Sequence, residues 1–520
     1  MSWIFLSLNP TSKSINDNDL DIIRDYLYGF REAAMKKYVP QKTVAEKVCD
    51  LFLAALAVLA GVYHLLIMMC SYVLDSTLLS SPWLAADRYL ALAFFGLMIL
   101  YLPVKYFAFP DGKEEIIRFL KTLFGDGRLW LALLFAWALI GCLVLSGQDK
   151  PSFFSFVQNG KTARYLTENA VRLNDKYLMD LAVSLLVLCP LPALLGKYRK
   201  VVCEGIFHLL TAAATLFMIT VLIPYFDGRI VTAPGGQIGV NAKGNMQIAC
   251  NPNTTGAFAA LFLMLSLYFI TSPRKLFVKI LYGLTALIHL FPLALSGSRT
   301  ALVASACGVA VIGFRWVFGL KKVGSLSNAW RWVISAAAGL CAAGLLILSR
   351  YLIRDLYVAV TGFDFVSDKA PGLSGRIKLW GDCLKASFAT ASNAIFGVTP
   401  YFVESAIGLV RNNPDNVLYA HNQFLQVLLS FGLPGLAFFC VWLVKTAVRC
   451  VRAGMKSSVY GLSAAVLMLV VANMAESYLT AYFYFCGGMF FLIAGFVTAC
   501  DADAERAKMQ ETKGKPNRKR

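Results

Sequence analysis

Charged side chains are scarce in this 520-residue chain, 15% of it against 58% hydrophobic residues, where a soluble globular protein carries roughly 25% charge. With a mean hydropathy of +0.62, that deficit excludes a string of soluble domains and predicts a polytopic membrane protein. Acidic residues are fewer still, 30 against 49 Lys and Arg, for a net charge of +19. The basic residues punctuate long apolar runs instead of forming a stripe on a polar domain, so nucleic acid is not an expected partner. No CxxC pair occurs, and the 13 cysteines are scattered, mostly inside apolar runs, which excludes a disulfide scaffold. There is no long repeat at a fixed period and no low-complexity linker. The first 47 residues contain no continuous apolar signal core, so a cleaved secretory signal is not expected.

What the chain does contain is apolar runs near the ~20 residues a helix needs to cross a hydrocarbon layer. About twelve are legible, near residues 48–73, 90–107, 129–146, 178–195, 201–225, 255–271, 277–295, 300–318, 330–348, 424–447, 460–475 and 478–499. Spanning segments must satisfy their own backbone, so helices are predicted, in an all-α integral membrane protein with about 12 transmembrane helices. Of the 49 basic residues, roughly two-thirds fall on the side shared with the amino terminus, which the positive-inside rule places in the cytoplasm with the carboxyl terminus. The division that follows is a cytoplasmic segment 1–47, helices one to nine over 48–349 with an external loop 227–254, a large extracytoplasmic loop 350–421, helices ten to twelve over 422–499, and a basic cytoplasmic tail 500–520. In the first segment Leu20, Ile23, Leu27 and Phe30 recur at helical spacing, predicting an amphipathic interfacial helix. The tail from Lys513 to Arg520 suits solvent or lipid headgroups.

Ionisable residues in mid-span would suggest an ion-coupled carrier, and they too are few. Asp180, Glu204 and Glu476 fall near span ends, and His64, His208 and His289 are single histidines on apolar helices, where packing is the expected role. Polar residues concentrate in the loops 227–254 and 350–421, so function is expected on the extracytoplasmic face. In the larger loop Ile377, Trp380 and Leu384 share a helical face, which reads as an interfacial helix. A Gly/Pro turn follows at Phe396-Gly397-Val398-Thr399-Pro400. His421 then opens the apolar helical pattern Phe424, Leu425, Leu428, placing an imidazole at the wet start of a helix, where a neutral histidine can act as a base.

These stretches resemble the O-antigen ligase and O-antigen polymerase family of bacterial envelope glycan enzymes. The resemblance rests on His421-Asn422-x-x-Leu425-Gln426 running into Phe431-Gly432-Leu433-Pro434-Gly435, on Ser296-Gly297-Ser298-Arg299-Thr300-Ala301-Leu302 at a span entrance, on Asn251-Pro252-Asn253, and on Gly375-Arg376 with Trp380 and Phe396-Gly397. It covers roughly residues 229–435, and the topology agrees over the rest. It implies a GT-C-like fold with its large external loop between helices 9 and 10. The implied activity is a glycosyltransferase that moves a glycan from an undecaprenyl-diphosphate-linked donor to an acceptor on the outer face of the bacterial inner membrane, with no cofactor and no metal. The acceptor would be a sugar of lipid A-core in a ligase or another lipid-linked repeat unit in a polymerase; protein is the acceptor in related enzymes. The family carries an arginine close before its Asn-Pro-Asn stretch, whereas here Arg229 lies well upstream and Lys243 is the alternative.

By the resemblance, His421 is the catalytic base, Arg299, Arg376 and Arg229 bind the donor diphosphate, and Asn422 supports them. The chemistry is coherent. A guanidinium fork offers phosphate two-point contact and stabilises a leaving diphosphate, a histidine can take the acceptor's proton, and a single displacement would invert the anomeric carbon. Plainer roles stay open for each residue: Arg299 snorkelling to headgroups, Arg376 anchoring its helix to anionic lipid, Arg229 as surface charge, His421 packing, and Asn422 with Gln426 as a helix's polar edge. Gly235, Gly236, Gly239 and Gly244 read as turns or as phosphate-facing backbone, and Asn253-Thr254-Thr255 as a cap for the next span. Cys250 and Cys383, the two cysteines of the external loops, share a compartment that permits a disulfide. The competing function is a transporter or flippase of lipid-linked glycans, which needs a spanning cavity and usually inverted repeats; neither is legible here.

Overall fold

The apolar runs fold as helices in the computed structural model, which describes residues 44–70, 86–108, 112–125, 127–146, 157–158, 161–162, 178–233, 236–241, 244–248, 251–362, 373–400, 403–411, 419–456, 459–478 and 485–514. The expected amphipathic helix near Leu20, the residues Gly235, Lys243 and Cys250, and the last part of the basic tail lie outside them. Residues 1–52 and 53–520 form two compact units; the described part of the first is the opening of helix α1, Val44–Cys70. After it come α2 (Ala86–Ala108), α3 (Gly112–Phe124) and α4 (Arg128–Ser146). A helical segment over 178–194 with a π-helical stretch at Val183–Leu188 precedes α5 (Arg199–Phe226).

A small antiparallel sheet interrupts the helices, with β1 (Ile230–Ala233), β2 (Gly236–Val240) and β3 (Met246–Gln247) pairing in that order. The sequence reading had only a loop here. The glycines hid the strands, yet Gly239 is needed in one. It has φ +100°, and a Cβ would run into the Arg229 carbonyl on β1's approach.

Then follow α6 (Pro252–Thr271), α7 (Leu276–Leu295), α8 (Arg299–Phe318) and α9 (Asn328–Thr361). The region between the ninth and tenth apolar runs holds α10 (Leu373–Ser387), α11 (Ala391–Phe396) and α12 (Val403–Arg411). The chain ends with α13 (Gln423–Lys456), α14 (Tyr460–Asn473) and α15 (Phe485–Gly514). Among the described residues, eight helices are long and apolar enough to cross a membrane: α1, α5, α6, α7, α8, α9, α13 and α15. Four shorter apolar helices, within α2, α4, residues 178–194 and α14, occupy the other four positions at which the sequence shows an apolar run. The protein is thus an all-α membrane protein in its bulk, with two small antiparallel sheets among the described residues, the three-stranded one above and a two-stranded pair at Val157–Gln158 and Lys161–Thr162.

Helix α6 is apolar on every side and is buried on nearly every side, the fate of a helix without a polar face. α9 runs past Leu348, where its apolar run ends, through Arg350, Arg354 and Asp355 to a left-handed cap at Gly362 (φ +71°). The lone histidines do pack: His208 stacks on Phe269 with ring centroids 4.1 Å apart, and His289 lies against Phe262 with Nε2 3.2 Å from the Thr215 hydroxyl.

Two of the quoted motifs meet back to back. α13 is broken at Gly432, which has φ +69° and ψ −170°, two residues before Pro434. α11 ends against that break: the Val398 N–H donates to the Leu429 carbonyl (2.7 Å), and Trp137 Nε1 donates to the Phe431 carbonyl (3.0 Å) while its ring stacks on Phe396. A Cβ on Gly432 would collide with the Ile395 carbonyl, and one on Gly397 with the Ser430–Phe431 backbone. Phe-Gly-Leu-Pro-Gly is thus a bend that lets two backbones touch. Gly432→Ala is expected to lower stability by about 2 kcal/mol or more, from strain in a glycine-only conformation plus the clash; thermal unfolding of the purified protein in detergent measures it.

Candidate functional site

The site assembles at the end of the bundle where α6, α8 and α13 begin and α14 ends. Asn251 caps α6, its Oδ1 accepting the N–H groups of Asn253 (2.9 Å) and Thr254 (3.4 Å), with Pro252 at the first helical position. This corrects the sequence reading, which gave the cap to Asn253-Thr254-Thr255; Thr255 instead uses its hydroxyl to accept from the Ile248 N–H (2.7 Å). In α8 the N-cap is Ser298, whose hydroxyl accepts from the Ala301 N–H (3.3 Å). Gly297 turns the chain with φ +69°, and Gly256 of α6 leaves the room in which Ser296 and Ser298 sit. The two motifs therefore pack as a pair of capped helix starts.

α13 starts with Asn422, whose Oδ1 accepts from Phe424 N–H (3.0 Å) and Leu425 N–H (3.1 Å). Its Nδ2 donates to the Met474 carbonyl (2.9 Å) and its own N–H to the Ser477 hydroxyl (3.1 Å). One side chain thus caps a helix and ties it to the turn after α14. Gln426, read from sequence as the same polar edge, turns inward and accepts from the Ala420 N–H (3.2 Å). His421, just before the cap, has φ +46°, a left-handed conformation uncommon for any residue but glycine and costing on the order of 1–3 kcal/mol.

That turn after α14 holds Glu476, which the sequence places only near a span end. Glu476 is fully buried and collects three partners: His421 Nδ1 (2.9 Å), Arg376 Nη2 (2.8 Å) and the Tyr419 hydroxyl (3.2 Å). Arg376, on α10, also donates through Nη1 to the Ala475 carbonyl and reaches the Thr300 hydroxyl at 3.5 Å. Tyr419 lies against the His421 ring, centroids 4.0 Å apart, and accepts from Asn251 Nδ2 (3.3 Å). Tyr478 donates to the Asn253 carbonyl (3.0 Å). With Nδ1 turned to the carboxylate, the other imidazole nitrogen, Nε2, is left for chemistry, the arrangement by which a carboxylate fixes a histidine's tautomer and aim.

Of the residues singled out from sequence, the structure brings together His421, Asn422 and Arg376. Arg299, the first residue of α8, is exposed and adjoins Thr300, which touches Arg376. Arg229 stands apart in its contacts: it pairs with Asp227 near the start of β1, with its side chain 68% exposed. Cys383 is a free, wholly buried thiol on α10 whose pKa burial, helped by the neighbouring Asp382, pushes up to about 12, so it is chemically quiet. Asp382 itself is held by Arg411 of α12 (2.8 Å), which ties α12 to α10. Among the described residues no cluster of three or more His, Cys, Asp or Glu has the makings of a metal site.

Residues 284–440 match the family model described as O-antigen ligase (Wzy_C). No curated protein matches the chain. The matched segment contains Arg299, Arg376, His421 and the Gly432 bend, and it stops short of Glu476. Over residues 284–440 this membrane protein is thus similar to the O-antigen ligase family, whose setting is the synthesis of envelope polysaccharide and lipopolysaccharide.

Proposed function

We propose that the protein transfers a glycan from undecaprenyl diphosphate to an acceptor sugar on the extracytoplasmic face of the bacterial inner membrane, with lipid A-core or a second lipid-linked repeat unit as acceptor. The observation that carries this reading is the buried Glu476 holding His421 by Nδ1 and Arg376 by Nη2 in one cluster, beside the exposed Arg299. In the proposed step, the acceptor hydroxyl attacks the anomeric carbon as its proton passes to His421 Nε2. The bond from that carbon to the diphosphate oxygen breaks, and the electron pair leaves with the diphosphate. A single displacement inverts the anomeric centre. Negative charge grows on the leaving oxygen, where an arginine fork stabilises it most in the transition state; arginine can do this without a metal. Arg299 takes that role, and Arg376 aligns Glu476 while facing the same space.

The basic bias toward the opposite end of the bundle supports the extracytoplasmic placement. Purified protein in liposomes, supplied with a lipid-linked glycan and a panel of acceptors, should release undecaprenyl diphosphate as product forms. A flippase would move the donor and release none, and that outcome would refute the transferase reading. Within it, Arg299→Lys keeps the charge and loses the planar fork, so donor affinity is expected to fall about tenfold or more. Unchanged affinity in a direct donor-binding titration would reassign Arg299 to the headgroup layer.

A further inference from the structure

Away from the site, α8, α9, α13 and α14 enclose a lateral cavity of about 480 Å³, lined by apolar side chains such as Val311, Phe314, Leu340, Leu467 and Val470. It lies in the half of the bundle remote from His421: its floor is Arg315, whose Nε donates to the Gly454 carbonyl (3.1 Å). Two open stripes lead from it back to the site. On α8, Val303, Cys307, Val311 and Phe314 recur at helical spacing, and none is buried; the stripe ends at Thr300, the residue that Arg376 touches. On α14 and at its C-cap, Leu467, Val470 and Met474 do the same and end beside Ala475 and Glu476, which hold Arg376.

We infer that this furrow seats the isoprenoid chain of the donor, an assignment that rests on the transferase reading above. Two observations select that occupant. First, the furrow is continuous with the place where the donor's diphosphate would sit. Second, it is too long for one leaflet: from Thr300 to Arg315 α8 rises about 22 Å at 1.5 Å per residue, whereas half of a ~30 Å hydrocarbon layer is about 15 Å. A phospholipid acyl chain ends near the midplane, and a long polyprenyl chain anchored by its diphosphate passes it. Burying such a chain would let the protein prefer long-chain carriers through apolar area alone.

The test uses the full-length protein in nanodiscs with a glycan-diphosphate donor whose terminal isoprene carries a photoreactive diazirine. Labelling is expected on peptides containing Val311, Phe314, Leu467 or Val470, and it should be displaced by unlabelled long-chain donor. A donor with only a geranyl chain should not displace it. In parallel, Leu467→Trp and Val470→Trp narrow the furrow, and each should shrink the kcat/KM advantage of long-chain over geranyl donor about tenfold. Absent or non-displaceable furrow labelling, or a photoreactive phospholipid that labels the furrow equally with donor present, overturns the proposal. So does an unaltered chain-length advantage in both folded variants. If wild-type protein turns over neither donor, the transferase reading itself has failed; turnover of both without chain preference sinks the furrow alone.

Discussion

Glu476→Ala is expected to remove transfer activity and to cost stability together. The carboxylate is fully buried and joins three elements, taking Nη2 of Arg376, Nδ1 of His421 and the Tyr419 hydroxyl. Its removal strands a guanidinium that is about a quarter exposed (27%), so the penalty is below that of a fully buried pair, about 2–4 kcal/mol. Glu476→Gln separates the two effects. The amide fills the same volume but offers one acceptor oxygen to three donors, and it can meet Nδ1 with an N–H that faces the wrong way. Turnover should then fall on the order of 100-fold or more, as when a histidine loses the carboxylate that orients it, while most of the thermal stability survives. A Gln variant with normal transfer rate would reduce Glu476 to a structural tether.

Why this residue's role escaped the sequence reading is plain from its contacts. Its partners lie 55 and 100 positions away, so no local period or spacing joins them. An acidic residue at the end of an apolar run also looks like any interfacial carboxylate. The readable signal was a weaker one: in a chain with few acids, one placed against two long apolar runs must be buried or paired. His421, by contrast, was legible because the imidazole stands immediately before an apolar helical pattern, although its left-handed backbone keeps it off the helix itself. Arg299 was legible because it follows two serines and a glycine, residues that start helices.

The helices themselves were written in hydropathy, and the apolar runs overlap eight long and four shorter apolar helices among the described residues. Their lengths were not, because the helical hydrogen-bond ladder does not stop where apolarity does. α9 continues through Arg350 and Asp355 to Gly362. The sheet at Ile230–Gln247 was hidden for the opposite reason, since strands that need Gly239 for close approach look like turns. Arg229, placed at the donor by resemblance, pairs instead with Asp227 beside that sheet.

The claim that His421 is the base for glycan transfer is tested most directly by single-turnover measurements on His421→Ala with donor bound beforehand. The imidazole is 20% exposed, held by Glu476 through one nitrogen in a backbone conformation that alanine adopts no more easily. Stability should therefore change little while the proton acceptor is lost. The expected result is a fall in the chemical step on the order of 100-fold or more, the usual worth of a positioned general base, with donor affinity held by Arg299 nearly unchanged. A folded His421→Ala protein that transfers its bound glycan at close to the wild-type rate would contradict the account, leaving His421 as the residue that seats α13 against the turn at Glu476.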